Sequence, residues 1–156
     1  GIGLSAACGM ALGLRHQGIA SRGYCMIGDG EINEGEIWEA AATASHYHLD
    51  NLVAFTDVNG LQNDAETKKV KDMLDIAAKW KAFGWNTLEI NGHDFEEIFA
   101  ALDAARECKG RPTAIISHTV KGKGVSFMEN VVAFHGKTPS KEEYENGMKE
   151  LEEVSL

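Results

Sequence analysis

Apolar and polar positions along the chain switch repeatedly between a helical and an extended period. Residues 2–15 are small and apolar at helical spacing, rich in Ala and Gly, and predict a closely packing helix. Tyr24-Cys25-Met26-Ile27 is a short apolar run that ends in glycines, the pattern of a buried strand. Residues 33–48 predict a helix with Asn33 as its cap and acids in its first turn. Leu52-Val53-Ala54-Phe55-Thr56 predicts a second strand, broken at Asp57-Val58-Asn59-Gly60. A polar loop over residues 61–67 precedes a helix over 73–83 that Gly84 stops. Residues 85–90 predict a third strand, 95–108 an amphipathic helix, and 113–118 a fourth strand opened by Pro112. A loop containing Gly and Lys follows, and Ser140 caps a charged terminal helix reaching about Glu152.

Strands separated by single helices predict an α/β fold, a parallel sheet with helices on both faces. No repeat, low-complexity tract or Pro-rich linker interrupts the pattern, so residues 1–156 are expected to form one domain. Sheets of this kind bind ligands beyond the carboxyl ends of their strands. Three of those ends carry polar chemistry: Gly28-Asp29-Gly30, Asp57-Val58-Asn59-Gly60-Leu61, and His118 with the following Lys121-Gly122-Lys123-Gly124. In a parallel sheet all three fall on one rim.

Charge sharpens the expectation. A formal net charge of −9 argues against a nucleic-acid partner, because phosphate backbones select basic faces. No apolar run approaches the roughly 20 residues of a spanning helix, so no membrane partner is expected. A chain this acidic needs local help to hold a phosphorylated ligand, from backbone N–H groups or from a metal. Glycine turns bind diphosphate because their N–H groups approach it closely, yet Asp29 in the middle of such a turn would repel it. A divalent cation between them reverses that sign. Asp29, Asn59 and a backbone carbonyl just after Asn59 are hard oxygen donors of the kind that Mg²⁺ or Ca²⁺ prefers. Either turn alone is as readily structural, with Asp or Asn satisfying local hydrogen bonds. Their occurrence at successive strand ends, thirty residues apart, is what points to a shared ion.

The remaining chemistry-bearing residues have ordinary explanations. Cys8, Cys25 and Cys108 have neither metal spacing nor a disulfide framework; they are expected to be packing or inert thiols in a reducing cytoplasm. Trp38, Trp80 and Trp85 are expected to be packing. No secretory signal is visible, and a chain that opens on Gly1 is expected to have its true N-terminus upstream.

Gly-Asp-Gly followed about thirty residues later by Asn resembles the signature of thiamine-diphosphate enzymes. The stretch from Gly28-Asp29-Gly30-Glu31-Ile32-Asn33-Glu34-Gly35 to Trp38-Glu39-Ala40-Ala41 narrows the resemblance to transketolases. Asn59-Gly60-Leu61-Gln62, Lys79-Trp80-Lys81-Ala82-Phe83-Gly84-Trp85, Asn91-Gly92-His93-Asp94 and Lys121-Gly122-Lys123-Gly124-Val125 continue it in order. It is most similar to the N-terminal, diphosphate-binding subunit of split transketolases, and the fold is expected to lack its N-terminal part.

The resemblance implies that Asp29, Asn59 and the Leu61 carbonyl hold Mg²⁺ (or Ca²⁺) and that Gly30 lies against the diphosphate of thiamine diphosphate. It implies that Gly1 and Gly3 end a glycine-rich turn touching the cofactor, and that His135 reaches both cofactor and sugar substrate. Glu34 and Glu39 match carboxylates near the subunit contact; without the resemblance they read equally well as solvent-facing acids at a helix start. The implied activity is transfer of a two-carbon ketol unit between sugar phosphates. The implied partner is a C-terminal, pyrimidine-binding transketolase subunit, with a dimer of such pairs. A non-catalytic fragment, a keto-acid dehydrogenase and a deoxyxylulose-phosphate synthase remain as alternatives. Two departures stand out: Asn63 replaces an aliphatic residue of the family's loop, and Ala65 replaces a Gly, with strain expected there.

Overall fold

The computed structural model describes residues 1–153. Four strands, β1 (Gly23–Gly28), β2 (Leu52–Val58), β3 (Asn86–Asn91) and β4 (Thr113–His118), form one parallel sheet in the order β1-β2-β4-β3. The two inner strands are buried almost throughout. Of the outer two, β1 alternates, so that Cys25 and Ile27 are buried while Tyr24 and Met26 are exposed, and β3 buries only Ile90 fully. This is why the inner strands read as continuous apolar runs: both of their faces are covered.

Three helices cover one face of the sheet. From α1 (Ile2–His16), α2 (Gly35–His46) and α4 (Ile76–Ala82), residues including Leu4, Ala11, Ile37, Ala41 and Trp80 pack on Ile27, Leu52, Ala54, Ala114 and Ile116. The alternate residues Val53 and Ile115 face the other way, against Ala101 and Ala105 of α5 (Phe95–Glu107). Alanines at the contact positions let the helices approach closely. The tryptophans are packing groups, as expected. Trp80 is fully buried and lies 4.7 Å from Trp85, edge to face, and 5.3 Å from Trp38.

Element boundaries moved where a side chain had a better partner. Asn33 does not cap α2; it sits in a single 3-10 turn, Glu31–Asn33, and donates its amide to the Gly30 carbonyl at 3.1 Å. The expected helix at 73–83 starts at Ile76, because Asp75 accepts the Ala78 N–H at 2.7 Å and Leu74 is left-handed at φ +53°. A short helix, α3 (Thr67–Lys71), follows the expected polar loop in a stretch for which the pattern predicts no element. Ser140 does cap α6 (Lys141–Glu153): its hydroxyl accepts the Glu143 N–H, and the Glu143 carboxylate accepts the Ser140 N–H. That reciprocal pair is a capping box. Among the described residues no helix is long and apolar enough to cross a membrane.

Strand register sets the stage for chemistry. Gly28 pairs with Asp57 and Val58 with His118, so the carboxyl ends of β1, β2 and β4 finish level on one rim.

Candidate functional site: a metal and diphosphate rim

The three strand ends are laced together by side chains. Beyond β1 the ladder runs one residue further, Asp29 N–H donating to the Asp57 carbonyl at 3.0 Å. The Asp29 carboxylate then accepts the Gly60 N–H at 2.7 Å, across from the turn after β2. Gly60 holds that N–H in place from a left-handed backbone, φ +77°, which favours glycine. Asn59 accepts the Leu61 N–H on its side-chain oxygen at 3.0 Å and donates its amide to Asp57 at 2.9 Å. The second oxygen of Asp57 accepts the Thr119 hydroxyl from beyond β4.

One cavity of about 470 Å³ opens on this lacework. Asp29, Gly30, Asn59, Leu61, Lys121 and His135 all line it. His135 reaches it from a second 3-10 turn, Val132–His135, that the residue pattern did not announce. A neighbouring cavity of about 490 Å³ shares Asp29 with it, is lined by Gly60 as well, and extends along α3 and α4.

Asp29 is 3% exposed. Burial pushes its carboxyl above the usual carboxylate range; the Gly60 N–H opposes that shift and the nearby Asp57 charge adds to it. Three acids, Asp29, Glu31 and Asp57, line a cavity where Lys121 is, among the described residues, the single lysine or arginine. Gln62 adds a buried side-chain oxygen that has no hydrogen-bond partner. Gly30 lies so close to Gln62 that a Cβ there would come 2.8 Å from the Gln62 Cβ. Among the described residues, no cluster of three His, Cys, Asp or Glu side chains could hold a metal. An ion here would rest on one carboxylate plus amide and peptide oxygens. Asn59 still has an acceptor lone pair for that purpose.

Gly1, Gly3, Glu34 and Glu39 do not line the cavity. Gly1 lies against Glu34, where a Cβ would come 3.1 Å from the Glu34 Cβ, and Gly3 stands over the Cys25 sulfur. Glu34 and Glu39 are exposed on the chain by itself, at and near the start of α2. Ala65 is not strained as expected: it lies outside the left-handed region, and its carbonyl accepts the Gln62 N–H at 2.9 Å to close the loop. Asn63 is exposed and borders the cavity.

Four contributors, Asp57, Glu31, Gln62 and Thr119, were given no role by the residue pattern. Asp57 bridges Asn59 to Thr119, and Glu31 accepts the Gly28 N–H at 3.2 Å, steadying the first turn from below. Gln62 backs Gly30. Asp57 was findable in principle, since a polar residue closing a buried strand at the rim has to satisfy its oxygens there. Thr119 offered no such signal.

Comparison with known proteins identifies the family to which this fold belongs. Residues 2–152 match the transketolase, thiamine diphosphate binding domain family. The chain is 42% identical over 152 residues to the 6-deoxy-6-sulfo-D-fructose transketolase subunit of Clostridium sp. (strain MSTE9), covering 97% of this chain and 55% of that protein. It is 40% identical over 153 residues to one of the apulose-4-phosphate transketolase subunits of Phocaeicola vulgatus, covering 98% and 54%. The chain thus spans about half the length of these two relatives. Its fold superposes on transketolase from Campylobacter jejuni with a TM-score of 0.91 at 28% identity, covering 97% of this chain and 25% of that one. A family match across nearly every residue, these identities and this superposition agree: the chain belongs to the transketolase family, and its residues 2–152 match that family's thiamine diphosphate binding domain.

Proposed function

We propose that the chain is the metal- and diphosphate-binding half of a transketolase active site. It transfers a two-carbon ketol unit between sugar phosphates only when a pyrimidine-binding chain or domain completes the site. The observation that carries this reading is the convergence of Asp29, Asn59, Leu61, Gly30 and His135 on one cavity at the sheet rim.

The residues present suit the group they would hold. A nearly inaccessible carboxylate with a second acid beside it disfavours its own charge, and a hard divalent cation removes that penalty. Asp29, Asn59 and the Leu61 carbonyl supply the oxygen set that Mg²⁺ or Ca²⁺ takes, with room left for diphosphate oxygens and water. Gly30 offers backbone in place of a side chain on the diphosphate side. Thiamine diphosphate, when bound, supplies the carbanion chemistry that moves the ketol unit. The chain's own residues bind and orient it. Lys121 adds positive charge to the cavity, and His135, exposed at its border, is placed to reach a sugar substrate from the open side. Glu34 and Glu39 remain available to a second chain, consistent with carboxylates at a subunit contact. The span of about half of each named relative supports a site completed elsewhere.

The test is to combine the chain with a pyrimidine-binding transketolase subunit, thiamine diphosphate and Mg²⁺, and to assay ketol transfer. Turnover of ketose phosphates that needs every component supports the reading. Turnover of keto acids instead would transfer the chain to the related dehydrogenases. Full activity without a partner would end the half-site proposal.

A further inference from the structure

The Asn91-Gly92-His93-Asp94 turn after β3 belongs to neither the metal loop nor the cavity wall, yet it is built against the end of β4. Asn91 accepts the His93 N–H on its side-chain oxygen at 3.1 Å, and the Gly92 N–H donates to the His118 carbonyl at 2.8 Å. A Cβ at residue 92 would come 3.1 Å from the Ser117 Cβ and 3.3 Å from the His118 carbonyl, so glycine lets the turn seat deeply. Seated there, His93 presents Nε2 to the Val120 N–H at 2.8 Å. A backbone N–H can only donate. Nε2 is therefore the lone-pair nitrogen, and the neutral ring carries its proton on Nδ1.

Val120 lies between two residues that matter to the rim. Thr119 bonds Asp57, which in turn holds the Asn59 amide, and Lys121 lines the cavity. On its far side the segment is tied by the Asn130 N–H to the Lys121 carbonyl at 3.0 Å. His93 supplies the matching tie on the near side.

We propose that His93 is a positioning residue for the diphosphate cavity: its neutral imidazole accepts the Val120 amide and so holds Lys121 at the cavity and Thr119 on Asp57. This rests on the metal-diphosphate reading above and adds to it a residue outside the cavity. The bond is exposed to solvent, so its effect on binding is a modest factor and not an all-or-none requirement.

The experiment compares His93→Leu, which keeps bulk but cannot accept, with His93→Gln, whose side-chain oxygen can replace Nε2. Each chain, combined with its pyrimidine-binding partner, is titrated calorimetrically with thiamine diphosphate at saturating Mg²⁺. His93→Leu is expected to weaken binding about fivefold, His93→Gln to return it to within about twofold, and His93→Leu to add under about twofold when Lys121→Ala is already present. Hydrogen exchange should quicken in residues 119–124 of His93→Leu while the four strands stay protected, which also shows that the variant folds. Wild-type binding by His93→Leu, failure of Gln to rescue, or an undiminished loss in the Lys121→Ala background overturns the proposal. If the wild type itself binds no thiamine diphosphate with Mg²⁺, the metal-diphosphate reading falls first. Unchanged exchange over 119–124 in His93→Leu would then dispose of the tether as well.

Discussion

The Gly60 N–H donates to the Asp29 carboxylate at 2.7 Å, joining the turn after β1 to the turn after β2. The pair lie thirty-one positions apart in the chain, and the parallel register Gly28 to Asp57 brings them together. That bond fixes the direction in which the buried carboxylate points, so that an ion taken there, as proposed, would meet a carboxylate already set. Preorganisation of this kind reduces what a ligand must order on binding.

Asp29→Asn separates charge from shape. The amide keeps an acceptor for Gly60 and removes a charge that burial disfavours, so metal-free stability should stay within about 1 kcal/mol of wild type. Metal-dependent binding of thiamine diphosphate should fall about a hundredfold or more, the loss of a charged ligand at a buried site. Asp29→Ala should abolish it while the domain still folds. Thermal melts with and without Mg²⁺ and cofactor check both parts; equal ligand-induced shifts in variant and wild type would contradict the ligand role.

Gly30→Ala tests the approach of backbone to ligand. The backbone of Gly30, at φ −69°, suits alanine, so the obstacle is steric: the new Cβ meets the Gln62 Cβ. Displacing that contact should cost about 1–3 kcal/mol of stability, and the shifted loop should weaken cofactor binding. Denaturant titration and calorimetry measure the two effects separately.

Among the described residues, the helical and extended periods exposed all four strands and five of the six α-helices, because burial on a doubly covered sheet is written directly into residues such as Ala114, Ile115 and Ile116. The rim was legible for a different reason. Asp29 and Asn59 are chemically out of place at the ends of apolar runs, and parallel topology forces such ends together. What stayed hidden was tertiary. Asn33 looks like a helix cap but spends its amide on the Gly30 carbonyl, and Ala65 looks strained but closes its loop with ordinary backbone angles. Thr119 reaches Asp57 only because β4 lies beside β2, an order that no local pattern encodes.

Trp80 should be the most sensitive single core position. It is fully buried between α4 and the sheet and touches both other tryptophans. Trp80→Ala should cost about 3–5 kcal/mol. Trp80→Phe keeps an aromatic ring and removes a buried indole N–H that has no partner, so it should cost well under half as much. Chemical unfolding of the two variants provides the comparison.

Thiol reactivity should follow burial. Cys8 lies against the Ala40 carbonyl, and burial pushes its thiol from an ordinary value of 9.0 to about 11. The native state therefore holds this proton more tightly than the unfolded chain. The resulting stabilisation is complete below pH 9 and fades as pH rises toward about 11. Cys25 is shifted the same way, chiefly by burial. Alkylation at pH 8 should label Cys108 first and reach Cys8 and Cys25 only on unfolding; mass mapping of the labelled peptides decides it.

As proposed, one hard cation joins the two turns to a diphosphate. A crystal structure of the chain with its pyrimidine-binding partner, grown with thiamine diphosphate and Mn²⁺ in place of Mg²⁺, tests it through the anomalous signal of the metal. One peak is expected at an octahedral coordination distance, about 2.1 Å, from oxygens of Asp29, Asn59 and the Leu61 carbonyl and from the diphosphate. A bound diphosphate with no metal peak there, or a peak that leaves Asp29 unligated, would contradict it.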